Sequence, residues 1–357
     1  MDLGHDVVVV GGSAAGLSAA LTLARVRRSV LVLDGGRPRN APAGHVHGFL
    51  TRDGMPPAEL VAAGRAEVTG YGGTVQDADV VSIRRLDGPA IGFEVDLDDG
   101  SSVRARRVLV ATGIVDVLPE VPGLAERWGR DVLHCPYCHG WEVRDQAVGI
   151  LATGPMSVHQ ALLFRQLTDD VTVFLHAAAE LSDEHWEQLA ARGIAVVVGE
   201  VVGIEVTDDR LAGVRLAGGT VFPVQALVVA PRMVARADLL VGLGVQTADL
   251  DMGGHVVGSY VPATDPTGRT EVPGVWVAGN VTDLSAQVVA AAAAGVRAAA
   301  GINADLVAEE TTAAVAARQA PVDPFSPAME RRVHRAVVGQ QRHGVSAFDR
   351  PGQVTSR

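Results

Sequence analysis

The sequence predicts an α/β fold built from two three-layer ββα units, the second inserted into the first. Three observations carry this expectation. Val7–Val10 is an unbroken apolar run followed by a glycine turn and a helix-like stretch, Ala14–Arg25. The same order returns mid-chain, with Ala147–Ala152 strand-like, Ser157–Leu167 helical and Asp170–Leu175 strand-like. The length of 357 residues exceeds the roughly 250–300 at which a single hydrophobic core stops growing.

Each element follows from its pattern. The β-branched run Val7–Val10 suits a strand buried on both faces of a parallel sheet, and Ser29–Asp34 reads as a second strand ending in an acid. Thr74–Val80, Gly92–Leu97 and Ser102–Ala111 alternate like sheet segments, with Asp98–Ser101 joining the last two as a hairpin. After the central unit come Ile194–Val198, the short runs Val201–Val206 and Gly213–Leu216, and Ala226–Ala230. Gly274–Ala278 is a further strand and Gln287–Asn303 a long helix. Three prolines, Pro321, Pro324 and Pro327, then precede a possible short helix over Ala328–His343, with Met329, Val333 and Val337 on one face.

Composition excludes several chemistries. The net charge of −11 argues against a nucleic-acid partner, which calls for a basic face. All 30 basic residues are arginine, so Schiff-base and Walker-type lysine chemistry are both closed. Residues 318–357, with seven arginines against three acids, read as a solvated or partner-packed tail. Asp2 and Asp6 stand where an export signal places positive charge, and Gly11, Gly12 and Gly16 interrupt the first apolar stretch. Neither an export signal nor a membrane span is expected, and the expected location is the cytoplasm.

The first glycine turn, V-V-V-V-G-G-S-A-A-G, aligns Gly11, Ser13 and Gly16 with G-x-G-x-x-G, Ser13 replacing the middle glycine and Ala14 opening the helix. Such a turn brings backbone N–H groups and a helix N-terminus to a pyrophosphate. Asp34 closes the next strand, where an acid accepts from ribose hydroxyls. The expectation is therefore two Rossmann-like dinucleotide-binding domains.

Two cysteines, Cys135 and Cys138, stand in H-C-P-Y-C-H-G-W-E-V. The residues alone leave three readings: buried inert thiols, a zinc site with His134 and His139, or a redox pair. Adjacent His–Cys pairs close a tetrahedron poorly and no second ligand pair follows, so no metal is expected. A dithiol at this spacing closes a small disulfide, and a helix N-terminus or a cation beside it favours the reactive thiolate.

V-L-V-A-T-G at Val108–Gly113, with Ala111, Thr112 and Gly113, and G-V-W-V-A-G-N-V-T-D at Gly274–Asp283, with Gly279 and Asn280, resemble the A-T-G and A-G-D motifs of two-dinucleotide flavoproteins. With the cysteine pair between them, residues 5–310 resemble the thioredoxin reductase-like family of FAD-dependent pyridine nucleotide-disulfide oxidoreductases. The motifs come closest to its dithiol oxidase branch, which forms disulfides in gliotoxin- and holomycin-type products. The resemblance implies FAD in the first site, with Gln287 and Val288 at the helix start facing the flavin pyrimidine. It implies that Cys138 attacks the flavin at C4a and that Cys135 exchanges with the external thiol. His139 replaces the family's acid after the second cysteine, and as a base near neutral pH it suits deprotonation of an incoming thiol. Asn280 replaces the aspartate of A-G-D, which alters that contact. His45 and His47 fall where family members approach the flavin, although an ordinary surface role stays open for them.

The resemblance also implies an NAD(P)H site in the central unit, and the sequence departs from it there. L-A-T-G-P-M-S keeps only Gly154, with Ala152 and Ser157 at the outer positions. After the next strand His176 remains, but Ala177 and Ala178 replace the arginines that grip a 2′-phosphate. NAD(P)H binding is thus doubtful. The expected activity is oxidation of a dithiol to a disulfide with O2 as acceptor. The alternatives are an NAD(P)H-dependent disulfide reductase and a non-turnover FAD redox sensor. The partner is a small-molecule dithiol or a thioredoxin-like protein, and the family pattern implies a homodimer. The expected division is a discontinuous FAD domain (1–116 and 245–317), an inserted domain carrying the dithiol (117–244) and an extension (318–357).

Overall fold

Four consecutive valines, all 5% exposed or less, form the centre of a parallel sheet in the computed structural model, which describes residues 4–88, 90–176, 180–319 and 326–338. The chain divides into two compact units, Met1–Ala304 and Asp305–Arg357.

In the first unit, β1 (His5–Val10), α1 (Ala14–Arg25) and β2 (Val30–Asp34) make the opening βαβ. They are followed by α2 (Pro57–Gly70), β3 (Thr74–Asp77), β4 (Val80–Arg85), β5 (Phe93–Leu97) and β6 (Ser102–Val110). The expected single strand Thr74–Val80 is two: β3 runs parallel to β2, and after Ala78–Asp79 the chain enters β4, antiparallel to β5. Neither α2 nor the later α6 was expected from the sequence. In α2 only Pro57 and Val68 are buried, so its apolar stripe is faint, and Gly64 lets it lie against Leu17 of α1.

The chain next forms β7 (Ile114–Val117), α3 (Leu124–Arg127), β8 (Val132–Leu133), the single turn α4 (Pro136–His139), β9 (Val148–Leu151), α5 (Ser157–Phe164) and β10 (Val171–Leu175). Then come α6 (Asp183–Ala191), β11 (Ala195–Val198), β12 (Val201–Thr207), β13 (Arg210–Leu216), β14 (Val221–Phe222) and β15 (Ala226–Val229). The strands β11-β10-β9-β15-β8 form an all-parallel sheet. One face packs Ile150 and Val173 against Ala161 and Phe164 of α5. The other packs Leu151, Phe174 and Leu227 against Leu211 and Val214 of the antiparallel β12-β13-β14 sheet, completing three layers.

The return segment holds β16 (Arg232–Ala235), α7 (Asp238–Val241), β17 (Ala248–Asp251), β18 (Val256–Tyr260), β19 (Val275–Val277) and α8 (Val288–Gln319). β19 rejoins the first sheet beside β6, and β17-β18-β16-β7 form a four-stranded sheet where the chain leaves and re-enters. The fold is thus the expected α/β pair of dinucleotide-binding units. α8 extends 16 residues beyond the expected Asn303 end, since 304–319 is rich in alanine and glutamate and lacks glycine and proline.

In the second unit, α9 (Pro327–Val338) starts at Ser326, whose hydroxyl accepts from Met329 N–H (3.3 Å). The remainder of the expected helix, 339–343, lies outside the described residues. Among the described residues no helix is long and apolar enough to cross a membrane.

Candidate active site

The carboxyl ends of the central strands in both parallel sheets open on one cavity of about 1310 Å³, the position at which open α/β sheets bind ligands. After β1, Gly11 adopts φ 109°, and a Cβ there would lie 2.4 Å from the carbonyl oxygen of Ala111. The A-T-G segment after β6 therefore packs directly on the glycine turn. Gly16 lets α1 cross the same turn, since a Cβ would meet Gly11 O at 1.8 Å. Gly279 abuts Ala15 in the same way, and Gly295 of α8 packs on Ala15 O. Gly16→Ala is expected to lower stability by about 1–3 kcal/mol through overpacking and to yield protein depleted in bound cofactor. Melting temperature and visible absorbance check this, and unchanged values of both would remove the role given to the close crossing.

Of the sequence-chosen residues, Ser13, Ala14, Ala111, Thr112, Gly113, Gly279, Asn280, Gln287 and Val288 line this cavity, as do His45, His47, Cys135, Cys138 and His139. Gly11, Gly16 and Asp34 do not line it. Asp34 accepts from Gly36 N–H (3.0 Å), lies 3.5 Å from Arg65 and leans over Gly12, whose Cβ would meet its carboxylate at 2.5 Å. Thr112 donates to Arg236 O (2.6 Å), tying the A-T-G segment to the return strand. Asn280 Nδ2 donates to the carbonyls of Asp283 (3.0 Å), Leu284 (3.3 Å) and Ala286 (2.9 Å). An aspartate could not make these bonds, so the Asn at this motif position shapes the loop leading into α8.

The dithiol sits just beyond β8. Cys135 precedes α4 with extended backbone (φ −102°, ψ 120°), and both thiols are free and partly buried. The Cys138 thiol hydrogen-bonds to the Cys135 sulfur, and the backbone N–H groups of Cys138 and Tyr137 add to it, lowering the Cys135 thiol to about 7 against the effect of burial. Cys138 is pushed up by that same hydrogen bond and by burial. Negative charge in the reduced pair thus resides on Cys135. Burial lowers His139, with Glu142 opposing and His47 reinforcing, and its Nε2 is buried without a hydrogen-bond partner. His139 is therefore neutral at pH 7, with a ring nitrogen free to take a proton.

Several neighbours escaped the sequence reading. Arg39 is held by both oxygens of Asp116 at 2.7 Å, lines the cavity and favours both thiolates by its charge. His47 Nδ1 lies 3.3 Å from Asp53, and its Nε2 lies 3.3 Å from Glu142, three residues beyond His139. His134 Nδ1 lies 3.1 Å from Val229 O and 3.3 Å from Gln160 Nε2, which anchors the ring between β15 and α5. Glu142 lies within the cysteine motif, whereas Arg39 and Asp116, 77 residues apart, carry no local signal. Among the described residues no three His, Cys, Asp or Glu side chains converge on a possible metal position.

The central glycine turn differs from the first. Ser157 is 3% exposed and its hydroxyl donates to Gly154 O (2.8 Å). A Cβ on Gly154 would lie 3.1 Å from His255 Nε2, so an imidazole from the β17–β18 hairpin stands over the turn. His176 Nδ1 accepts from Val201 N–H (3.0 Å) and serves to seat β12. Ala177 and Ala178 lie outside the described residues.

Two dinucleotide-binding units around a shared dithiol cavity define the class of flavin-linked disulfide oxidoreductases. The family pattern for pyridine nucleotide-disulphide oxidoreductases matches residues 5–295, and the chain belongs to this family. Thioredoxin reductase sirT of Leptosphaeria maculans is 33% identical over 314 residues, spanning 84% of this chain and 93% of its own. Thioredoxin reductase tcpT of Claviceps purpurea is 31% identical over 77% of this chain and 86% of its own. Among solved structures, HlmI shares 47% identity at a TM-score of 0.82, covering 89% of this chain and 98% of its own. An oxidoreductase from Agrobacterium tumefaciens shares 34% at 0.78, covering 85% and 98% respectively.

The protein is an oxidoreductase whose family cofactor is FAD. The residues present fit it: a glycine cradle that a Cβ would fill, and a twelve-residue helix whose N-cap residue, Ser13, makes no side-chain cap, leaving first-turn N–H groups for phosphate.

Proposed function

We propose that the protein oxidises a dithiol to a disulfide through the Cys135/Cys138 pair, with O2 as final acceptor. The observation that carries this is the asymmetry of the two glycine turns: the first is an open cradle on the dithiol cavity, whereas the second lies beneath His255. Ser13, Ala14, Ala111, Thr112, Gly113, Gly279, Asn280, Gln287 and Val288 would hold FAD, with Gly11 and Gly16 shaping the turn and Asp34 accepting from its ribose hydroxyls. FAD held there would supply a two-electron acceptor for the reduced pair, with O2 as the terminal oxidant and hydrogen peroxide as its product.

Starting from the Cys135–Cys138 disulfide, His139 Nε2 takes the proton of the first substrate thiol. The resulting thiolate attacks Cys135 Sγ, breaking the cysteine disulfide and releasing Cys138. The second substrate thiolate then displaces Cys135, so that one substrate S–S bond forms as one protein S–S bond breaks. The two electrons reside on the cysteine pair until its reoxidation; of the two substrate protons, Cys138 keeps one and His139 passes the other to solvent, which leaves Cys135 as the thiolate. The division into a discontinuous FAD domain (1–116, 245–317), a dithiol domain (117–244) and an extension (318–357), and assembly as a homodimer, belong to the same proposal.

The names of sirT and tcpT favour a second reading, an NAD(P)H-dependent disulfide reductase. Anaerobic titration of the yellow protein separates the two. Bleaching by a dithiol, followed by one peroxide per flavin on admission of air, is expected. Bleaching by NADPH or NADH at low micromolar concentration would sink the oxidase reading.

A further inference from the structure

Each turnover leaves His139 with one proton to pass to solvent. The ring lines the cavity that a substrate fills, and its Nε2 is buried without a hydrogen-bond partner. A proton leaving through the cavity would have to pass the substrate. A second route runs along the dithiol segment itself. α4 continues into a 3-10 turn, Trp141–Val143, with Gly140 in helical conformation between them (φ −68°, ψ −34°). Gly140 N–H donates to Pro136 O (2.9 Å) and Val143 N–H to Gly140 O (3.3 Å), so the winding is unbroken. Residues three apart on such a segment share a face, with Cβ atoms about 5–6 Å apart, which sets Glu142 beside His139. A separation of that size is spanned directly or through one water. The Glu142 charge favours a proton on that ring, and its side chain, 40% exposed, stands outside the cavity wall.

The Glu142 carboxylate is held in place by a separate loop. His47 Nε2 lies 3.3 Å from it, and His47 Nδ1 lies 3.3 Å from one oxygen of Asp53. The other Asp53 oxygen accepts from Gly48 N–H (2.9 Å), and these two contacts hold the Asp53 carboxyl below its ordinary range. The loop is fixed at its base, where buried Val46 donates its N–H to Met55 O (2.8 Å). His45, on the same loop, brings its ring centre to 6.0 Å from that of His47. His47 is thus oriented by one carboxylate and presents its second nitrogen to another. Thiol exchange at Cys135 does not itself require these contacts, since neither Glu142 nor Asp53 lines the cavity.

We propose that Glu142 is the proton outlet of the site, taking the proton from His139 and delivering it to solvent outside the substrate cavity, with His47 and Asp53 as positioning residues for its carboxylate. This rests on the dithiol-oxidising reading and adds the path by which the substrate proton leaves. In each cycle an N–H bond of the His139 imidazolium breaks and an O–H bond forms on Glu142. That proton then passes to water, which restores the carboxylate and the neutral ring, and no electrons move. Burial makes the imidazolium a stronger acid than usual, so it yields its proton readily. A ring that keeps its proton cannot serve the next turnover.

The test uses the FAD-loaded full chain and follows steady-state peroxide release with dithiothreitol in air at pH 7, where His139 is neutral at rest. Glu142→Gln is expected to lower kcat by about tenfold or more, less than the roughly 10²–10⁴ contributed by a base in direct contact with the reacting group. KM should stay near the wild-type value, because the outlet does not touch the substrate. Added formate, a small carboxylate free to approach from solvent, should restore part of the lost rate in Glu142→Gln and leave the wild type unaffected. Glu142→Asp should retain most of the rate, and His47→Gln should show a smaller loss of kcat in the same direction. Should Glu142→Gln fail to hold FAD, the Glu142→Asp and His47→Gln rates carry the test. Wild-type kcat in Glu142→Gln, a loss that formate leaves untouched, or a wild-type kcat in His47→Gln would overturn the proposal. Failure of dithiothreitol to bleach the wild type anaerobically, or bleaching without peroxide on admission of air, would instead overturn the dithiol-oxidising reading on which it rests.

Discussion

Cys138→Ser is expected to give a folded, yellow protein that no dithiol bleaches. The expectation follows from the division of labour at the turn. Cys135 stands at the start of α4, where it receives the Cys138 thiol and two backbone N–H groups, and its own thiol is lowered to about 7. Cys138 is shifted the opposite way, so the proton of the reduced pair stays on it. A substrate thiolate attacking Cys135 needs Cys138 as leaving group, and a serine there forms no disulfide to attack. Stopped-flow absorbance checks the result, and residual bleaching in the variant would refute the role given to Cys138. Cys135 alkylation supplies a second readout, because only the thiolate reacts. In the wild type its rate should rise with pH through a midpoint near 7. Cys138→Ala removes the largest stabilising hydrogen bond, so the midpoint should move up. Cys138→Ser keeps an O–H donor and should move it less.

Local motifs made the first nucleotide site legible. Gly11, Gly16, the A-T-G segment and Gly279 each announce a turn within a few residues, and the fold brings them together as contacts at Ala15 and Ala111. α6 carries local signals of its own, since Ser182 caps it by accepting from His185 N–H (3.2 Å) and Asp183 and Glu184 occupy its first turn. Only Leu189 of this helix is buried, so its sequence has no apolar stripe at helical spacing. The long-range pairs could not be read at all. Arg39 meets Asp116, and His255 meets Gly154, only because the β7 and β17–β18 segments return to the cavity through the four-stranded sheet. No spacing rule connects residues whose proximity depends on sheet order. Glu142 lies between these cases: it is next to the dithiol in sequence, but its partner His47 comes from a loop almost a hundred residues earlier.

His139→Gln should reduce the second-order rate of flavin bleaching by roughly 10²–10⁴ at pH 7, the usual contribution of a positioned general base. The pH dependence distinguishes loss of a base from loss of packing. Burial holds the His139 pKa below its usual value near 6.5, so the imidazole is neutral and competent throughout the neutral range. As pH falls through that lowered pKa, the ring protonates and the wild-type rate should drop. The glutamine variant has no such group and should lose this acid limb. As pH rises towards the substrate thiol's own pKa of about 8.5, a growing share of substrate arrives as thiolate and needs no base, so wild type and variant should converge. Neighbouring charges fix the direction of two further shifts. Glu142 raises His139, so Glu142→Gln should move the acid limb to lower pH; His47 lowers it, so His47→Gln should move the limb higher. A rate deficit in His139→Gln that is the same at pH 7 and pH 9 would assign the residue to packing rather than to proton transfer. The paired shifts would then disappear with it, because both act only through the charge on that ring.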